Sequence, residues 1–327
     1  MTKRVGIVGL GSSVPERVLN NADLEQMVDT SDEWIVARTG MRERRIAAPD
    51  QASSDFAVAA ARRALEQAGL AAADVELILV ATVTPDRFCP PTACYVQDRI
   101  GATRAAGFDI AAACSGFLNA QTAAHGLLAC GAYANALVIG VDTLSKFVDY
   151  EDRDSCVLFG DGAGAAVLGT ETDGGEILDN ILGIDGSGSE LITLPAGGSR
   201  VPTTAETVAA RQHYLRLEGK KVFRFAVEKL CELTERMVNR NGFSLDDIDL
   251  LVPHQANLRI LEAGAKKMGI DMDRVLVNVD RYGNTSAASV PMALDEAVRT
   301  GRLQRDMLAC TLVFGAGLTW GASLIRW

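Results

Sequence analysis

The sequence predicts an α/β protein, a layered sandwich of two pseudo-symmetric halves, and three observations carry that prediction. Continuous Val/Ile/Leu runs of strand length alternate with segments apolar at helical spacing, the pattern of sheets covered on both faces by helices. Gly69-Leu70 and Asp74-Val75-Glu76-Leu77-Ile78-Leu79-Val80 match Gly242-Phe243 and Asp247-Ile248-Asp249-Leu250-Leu251-Val252 at a constant offset of 173 residues. Each half also carries a glycine-rich turn entering a strand, Phe159-Gly160-Asp161-Gly162-Ala163-Gly164 in the first and Phe314-Gly315-Ala316-Gly317 in the second.

In chain order, the opening Gly6-Ile7-Val8-Gly9-Leu10-Gly11 runs an apolar segment into a glycine turn. It fails as a dinucleotide-binding turn, because the third glycine would fall at Val14, which Pro15 follows, and no helix pattern starts there. An amphipathic helix over 54–68, with Phe56-Ala57-Val58 on its period, precedes the first copy of the repeat. A run of tiny residues, Asp109-Ile110-Ala111-Ala112-Ala113, reads as a strand and gives way through Cys114-Ser115-Gly116-Phe117 to a helix over 118–128. The second half has a helix over 222–239 with Phe225-Ala226-Val227, a buried strand Leu250-Leu251-Val252-Pro253, and a helix after His254. Tyr282-Gly283-Asn284-Thr285-Ser286-Ala287-Ala288-Ser289 is a glycine turn ahead of a further helix rich in small residues. No Pro/Ser-rich linker separates the halves, 1–175 and 176–327, so one compact body is expected.

With 327 residues, 48% hydrophobic and 23% charged, the chain can bury a large core and is not disordered. The apolar stretch within the first ten residues is too short for a signal peptide, and no run nears the roughly 18 apolar residues of a membrane helix. A soluble, cytoplasmic protein with no membrane contact is expected. A net charge of −10 disfavours a nucleic-acid or anionic-membrane surface but leaves room for a local basic patch. Seven cysteines, an odd number without C-x-x-C spacing, and three scattered histidines (His125, His213, His254) predict neither a disulfide framework nor a metal site.

Three segments carry candidate chemistry. Cys114 stands at a strand-to-helix elbow, where the positive end of a helix lowers a thiol's pKa below about 8.5, so a reactive thiolate is expected. His254 stands at the C-terminal edge of a buried strand, where α/β proteins place reactive groups. Asn284 follows Gly283 in a turn that presents it ahead of a helix.

These three, with Asp29-Thr30-Ser31-Asp32-Glu33-Trp34-Ile35, Arg38-Thr39-Gly40-Met41-Arg42-Glu43-Arg44, Pro253-His254-Gln255-Ala256-Asn257-Leu258-Arg259 and the two glycine-rich turns, resemble one family motif for motif. Over essentially its whole length the chain resembles the β-ketoacyl-acyl-carrier-protein synthase III family of the thiolase superfamily. The resemblance implies a thiolase-like α/β/α/β/α sandwich, a homodimer, and initiation of fatty acid biosynthesis by a ping-pong condensation. Cys114 would take an acyl group from acyl-coenzyme A, a substrate and not a cofactor. Malonyl-acyl carrier protein would then lose CO2 and attack that thioester. His254 and Asn284 would donate hydrogen bonds to the malonyl thioester oxygen, and the main-chain N–H groups of Cys114 and Ala316 would form the oxyanion site. The family more often has glycine at position 316. Phe314 stands where degradative thiolases carry a second cysteine, which argues against thiolysis. Elongating relatives use two histidines, and neither His125 nor His213 lies in a strand-end context.

The resemblance further implies that Trp34, Arg38 and Arg153 clamp the adenine of coenzyme A, with Thr30 near the base and Asn257 near the pantetheine arm. An acidic carrier protein would need a basic landing surface. Arg259 and Lys266, seven apart on one predicted helix, with Lys267 and Arg224, are the candidates. Arg87-Phe88-Cys89-Pro90-Pro91 departs from the family's usual Phe-Pro pair, so Phe88 and the small Cys89 would shape a roomier acyl pocket across the dimer contact around 88–97. Two rival classes fit the same residue letters: a starter ketosynthase or acyltransferase of polyketide type with another donor, and a Cys-His-Asn hydrolase, which would need His254 as a base and water at the acyl-enzyme.

Overall fold

The computed structural model describes residues 3–170 and 172–327. Nine strands form the principal sheet: β1 (Val5–Ser13), β2 (Leu77–Ala81), β3 (Ala106–Ile110), β4 (Asn135–Thr143), β5 (Asp161–Thr170), β6 (Glu176–Ile184), β7 (Leu250–Pro253), β8 (Leu308–Gly315) and β9 (Thr319–Arg326). Their spatial order is β7-β8-β9-β6-β1-β5-β4-β2-β3. The first half reads β1-β5-β4-β2, antiparallel, antiparallel, parallel, and the second reads β6-β9-β8-β7 with the same senses. Where β3 flanks β2 in parallel, Val275 makes one parallel bridge with Leu251 of β7. A single residue pair, Gly6 with Glu176, joins β1 to β6, so the structure is two sheets touching at one edge.

Helices complete five layers. α1 (Asp32–Thr39) precedes the layer helices; α2 (Ser53–Ala68) and α3 (Thr92–Ile100) cover the outer face of the first sheet, and α5 (Gly219–Arg240) and α6 (Leu258–Met268) cover that of the second. α4 (Gly116–Ala129) and α7 (Ser289–Arg299) lie between the sheets. Phe117, Leu118 and Leu128 of α4 and Val290 and Leu294 of α7 share one core with Leu79, Val138, Val252 and Val313 of the two sheets. A helix walled on two sides must be apolar on more than one stripe, which is why α4 is nearly free of charge. Its buried Gln121 donates from Nε2 to Ser323 Oγ at 2.9 Å.

The 173-residue repeat has a local physical cause. Gly69 and Gly242 follow α2 and α5 in the left-handed region (φ +64° and +75°), where a side chain is strained and glycine is not. The residues after them differ from the strand expected there. Ala72–Asp74 and Leu245–Asp247 are single 3-10 turns, and the strands begin at Leu77 and Leu250. In the second copy Asp247 accepts from Ser244 N at 2.7 Å, a local bond that holds the turn and keeps the chain out of the ladder. Likewise β3 ends at Ile110 and leaves 111–113 out of the sheet.

Packing in the central layer is tightest where β4 passes beneath the segment before α7. A Cβ added at Gly140 would lie 2.2 Å from the carbonyl oxygen of Ala287, a backbone atom that cannot swing aside. Gly140→Ala is therefore expected to lower stability by about 1–3 kcal/mol. Gly126→Ala, exposed in α4 with no atom within 4 Å of the added carbon, is expected to raise stability by up to about 1 kcal/mol. Urea melts of the two variants read the difference, and equal midpoints would contradict this packing.

Candidate active site

Cys114 sits in a 3-10 turn, Ala113–Ser115, that leads directly into α4. Ala113 holds φ +47°, a left-handed conformation strained for alanine, which turns the chain sharply out of the β3 direction. The β8–β9 turn presses on this elbow: a Cβ at Gly315 would fall 3.0 Å from Cys114 N and crowd it. Thr319 Oγ1 lies 2.8 Å from Ser115 Oγ and donates to Ala316 O at 2.9 Å, tying the turn to the elbow. Neither the Cys114 N–H nor the Ala316 N–H meets a main-chain acceptor among the described residues. Ala316 is not among the positive-φ residues, so alanine costs nothing at this position.

His254 follows β7 and is fully buried, its main-chain N–H held by Leu312 O of β8 at 2.7 Å. Its Nδ1 lies 2.5 Å from Ser289 Oγ, and Phe314 packs edge-on at 5.3 Å between ring centroids. Burial pushes the imidazole down to about 3, so it is neutral near pH 7. Asn284 is clamped through its backbone: its N–H donates to Leu158 O at 2.8 Å and its C=O accepts from Gly160 N at 3.0 Å. Its Oδ1 accepts from Ser286 N at 2.9 Å, which leaves the Nδ2 hydrogens without a protein acceptor among the described residues. The motif Phe159-Gly160 therefore serves as the strap that positions Asn284.

Cys114, His254, Asn284, Phe314 and Ala316 line one cavity of about 770 Å³ that extends to Trp34 and Arg38. The guanidinium carbons of Arg38 and Arg153 lie 5.7 and 4.7 Å from the Trp34 ring centroid, and Arg153 is steadied by Asp29 O at 3.1 Å. Thr30 Oγ1 is buried without a partner. Asn257 reaches the cavity wall, but its amide caps α6 through Arg259 N at 2.9 Å and donates to Arg38 O at 3.0 Å. Arg259 lies at the rim with its guanidinium carbon 5.7 Å from the Phe223 ring centroid, and Arg224 is exposed beside Phe223. Lys266 and Lys267 are exposed in the last turn of α6, roughly 10 Å along the helix from Arg259. Phe88 (89% exposed) and Cys89 lie outside the cavity of their own chain.

One expectation is overturned. Burial pushes the Cys114 thiol up to about 12, although a hydrogen bond from Ser286 opposes the rise; Asp142 adds to it. The α4 N-terminus contributes about 0.3–2 kcal/mol toward the thiolate. Withdrawing the sulfur from water opposes this and is the largest influence on the thiol. Desolvation wins, and Cys114 rests as a thiol.

Sequence reasoning missed the groups beneath these residues. Asp142 ends β4 fully buried and accepts from Thr82 Oγ1 at 3.0 Å, Val83 N at 2.9 Å, Thr84 Oγ1 at 2.9 Å and Ala287 N at 3.3 Å. It thus pins the end of β2 to the Asn284 segment, and an aspartate directly after the apolar run Ala136–Val141 was the available signal. Arg44, also fully buried, donates to Asn21 Oδ1 at 2.7 Å and Val157 O at 2.6 Å and supports the Leu158–Gly160 strap from below.

Comparison with known proteins agrees with this geometry. Residues 108–186 match the family model for 3-oxoacyl-[acyl-carrier-protein] synthase III, and residues 238–327 match the model for its C-terminal part. A β-ketoacyl-[acyl-carrier-protein] synthase III of Desulfitobacterium hafniense is 53% identical over 323 residues, 99% of this chain and 98% of that one. The chain belongs to the β-ketoacyl-acyl-carrier-protein synthase III family. Membership makes it a condensing acyltransferase of thiolase fold. The crystal structure of the Aquifex aeolicus 3-oxoacyl-[acyl-carrier-protein] synthase III superposes with a TM-score of 0.91 at 42% identity, covering 99% of this chain and 100% of that one. A priming β-ketosynthase from the R1128 polyketide biosynthetic pathway superposes equally well, TM-score 0.91, at 36% identity over 99% of this chain and 96% of that one.

A thiol kept neutral in this way makes the synthase III site slow toward external electrophiles at neutral pH. Alkylation of Cys114 by a neutral haloacetamide is expected to accelerate steadily from about pH 7 to about pH 10 without a plateau. Peptide mass spectrometry with Cys114→Ser as background measures it, and a plateau below about pH 8 would show that the helix terminus dominates.

Proposed function

We propose that the chain condenses an acyl group from acyl-coenzyme A with malonyl-acyl carrier protein, giving 3-ketoacyl-acyl carrier protein, coenzyme A and CO2. The convergence of a thiol, two main-chain N–H groups without main-chain acceptors and two side-chain donors on one mostly apolar cavity carries this reading. Cys114 sulfur attacks the acyl thioester carbonyl, whose oxygen gains negative charge against the N–H groups of Cys114 and Ala316. The carbon–sulfur bond to coenzyme A breaks, and the thiol proton leaves with it in net balance. Malonyl thioester then enters, its carboxylate departs as CO2, and the electron pair left behind spreads onto the thioester oxygen facing His254 and Asn284. That enolate attacks the Cys114 thioester carbonyl, the carbon–sulfur bond to Cys114 breaks, and the released sulfur takes up one proton from solvent to restore the thiol.

Neutral donors suit the second step. A cationic histidine would protonate the enolate and end the reaction, whereas a neutral one stabilises the charge without releasing a proton to carbon. The Phe314 ring beside His254 keeps water from the same place. At the entrance, Trp34 with the guanidinium groups of Arg38 and Arg153 offers a flat, cationic surface for the adenine. Arg224 and Arg259 supply positive charge for an acidic carrier protein, with Lys266 and Lys267 further along α6.

The protein is read as a cytoplasmic homodimer; among the described residues no helix is long and apolar enough to cross a membrane. β3 is an edge strand with Phe108 44% exposed, and no described strand covers its outer side. A second copy pairing there would bring Phe88 and Cys89 toward a neighbouring acyl pocket. The likeness to the priming ketosynthase favours a second reading, in which the donor is a starter unit other than acetyl-coenzyme A.

Mass spectrometry after mixing with acetyl-, butyryl- and octanoyl-coenzyme A is expected to show an acyl adduct on Cys114 that malonyl-carrier protein discharges as 3-ketoacyl product. Adduct lost to water alone would favour a hydrolase, and the ranking of donors separates the two ketosynthase readings. His254→Ala and Asn284→Ala are each expected to slow malonyl decarboxylation by about 10² to 10³. Trp34→Ala is expected to raise KM for the acyl-coenzyme A with little change in kcat, measured by initial rates.

A further inference from the structure

A neutral imidazole carries one ring hydrogen, and the surroundings of His254 decide which nitrogen holds it. Nδ1 lies 2.5 Å from Ser289 Oγ, while Nε2 has no protein partner among the described residues, and His254 lines the cavity. Two arrangements satisfy the 2.5 Å contact. If Nδ1 carries the hydrogen and donates to Ser289 Oγ, the hydroxyl hydrogen of Ser289 is left without an acceptor in a residue only 2% exposed. Ser289 Oγ makes no other hydrogen bond among the described residues, so nothing else takes that hydrogen. If Ser289 donates to Nδ1 instead, both buried atoms are matched and the ring hydrogen sits on Nε2. The position of Ser289 agrees with this, since it opens α7, whose N-terminal end disfavours an added positive charge on the ring. Edge-on packing of Phe314 at 5.3 Å leaves the ring one plane in which to make the bond.

We propose that Ser289 is a positioning residue that sets the tautomer of His254, holding Nε2–H as a donor into the cavity and denying that nitrogen the role of base toward Cys114. This rests on the condensing reading above and sharpens it, because it divides the two half-reactions. Acyl transfer to Cys114 takes no proton onto His254. Malonyl decarboxylation uses the Nε2–H as a donor to the developing enolate oxygen and moves no proton through Ser289.

The test uses the intact protein labelled with ¹⁵N-histidine, whose three histidines keep the spectrum simple. Long-range proton–nitrogen correlation near pH 7 is expected to show His254 protonated at Nε2 alone; protonation at Nδ1 would overturn the proposal. In Ser289→Ala the spectrum is expected to move toward the other tautomer. Decarboxylation of malonyl-carrier protein by the acylated enzyme should fall by on the order of 10² while Cys114 acylation persists. Ser289→Thr, which keeps the hydroxyl, is expected to restore most of the lost rate. Undiminished decarboxylation by Ser289→Ala with acylation intact would also overturn it. A wild-type enzyme that neither acylates Cys114 nor releases CO2 would sink the condensing reading, while the wild-type spectrum still decides the tautomer.

Discussion

The sandwiching of α4 and α7 between two sheets is the constraint on which everything else depends. Both helices bury apolar residues against both halves, so their N-terminal ends are brought to the same side of the core. The same 173-residue offset that relates Gly69 to Gly242 relates Ala113 to Ser286, and both hold a left-handed backbone, φ +47° and +51°, at the start of a 3-10 turn. The elbow that presents Cys114 is thus duplicated, and its copy carries the Asn284 turn and Ser289. Two copies of one strained local structure, facing each other across a packed layer, build the floor of the cavity.

That floor lies deep in the molecule, and burial governs the electrostatics. The burial that raises Cys114 also lowers His254, so thiol and imidazole are both neutral at rest and no ion pair forms between them. Charge appears only as bonds change, and it appears opposite donors whose other hydrogen-bonding atoms are already engaged. Asn284 Oδ1 is held by Ser286 N, His254 Nδ1 by Ser289, and Ala316 O by Thr319. Donors fixed in advance need no reorganisation when the oxygen becomes negative, which is the source of their effect in a low-dielectric site.

Much of this was legible in the residues. The alternation of buried strands with helices, the glycine stops and the elbow at Cys114 each follow from local chemistry, and the motif resemblance brought His254, Asn284 and Ala316 to one place. What escaped were groups whose roles depend on partners far away in sequence. Asp142 and Arg44 are charged residues inside apolar surroundings, and their partners lie 58 to 145 and 23 to 113 residues away in sequence for the bonds that define their roles. The 3-10 turns ending at Asp74 and Asp247 start the strands three residues later than the apolar pattern suggests, at Leu77 and Leu250.

By itself, the sequence determined the periodicities, the helix stops and the residue types available for acyl chemistry, because those rest on interactions within a few residues. Only the tertiary structure decided the state of those residues. A helix terminus beside a cysteine promises a thiolate, but the depth at which the second half covers it sets the desolvation, and desolvation is the larger effect. A histidine at a strand end promises a donor or a base, and the hydroxyl 35 residues further along determines which. Ionisation and tautomer depend on how water is excluded and on what replaces it, and both are properties of the assembled layers.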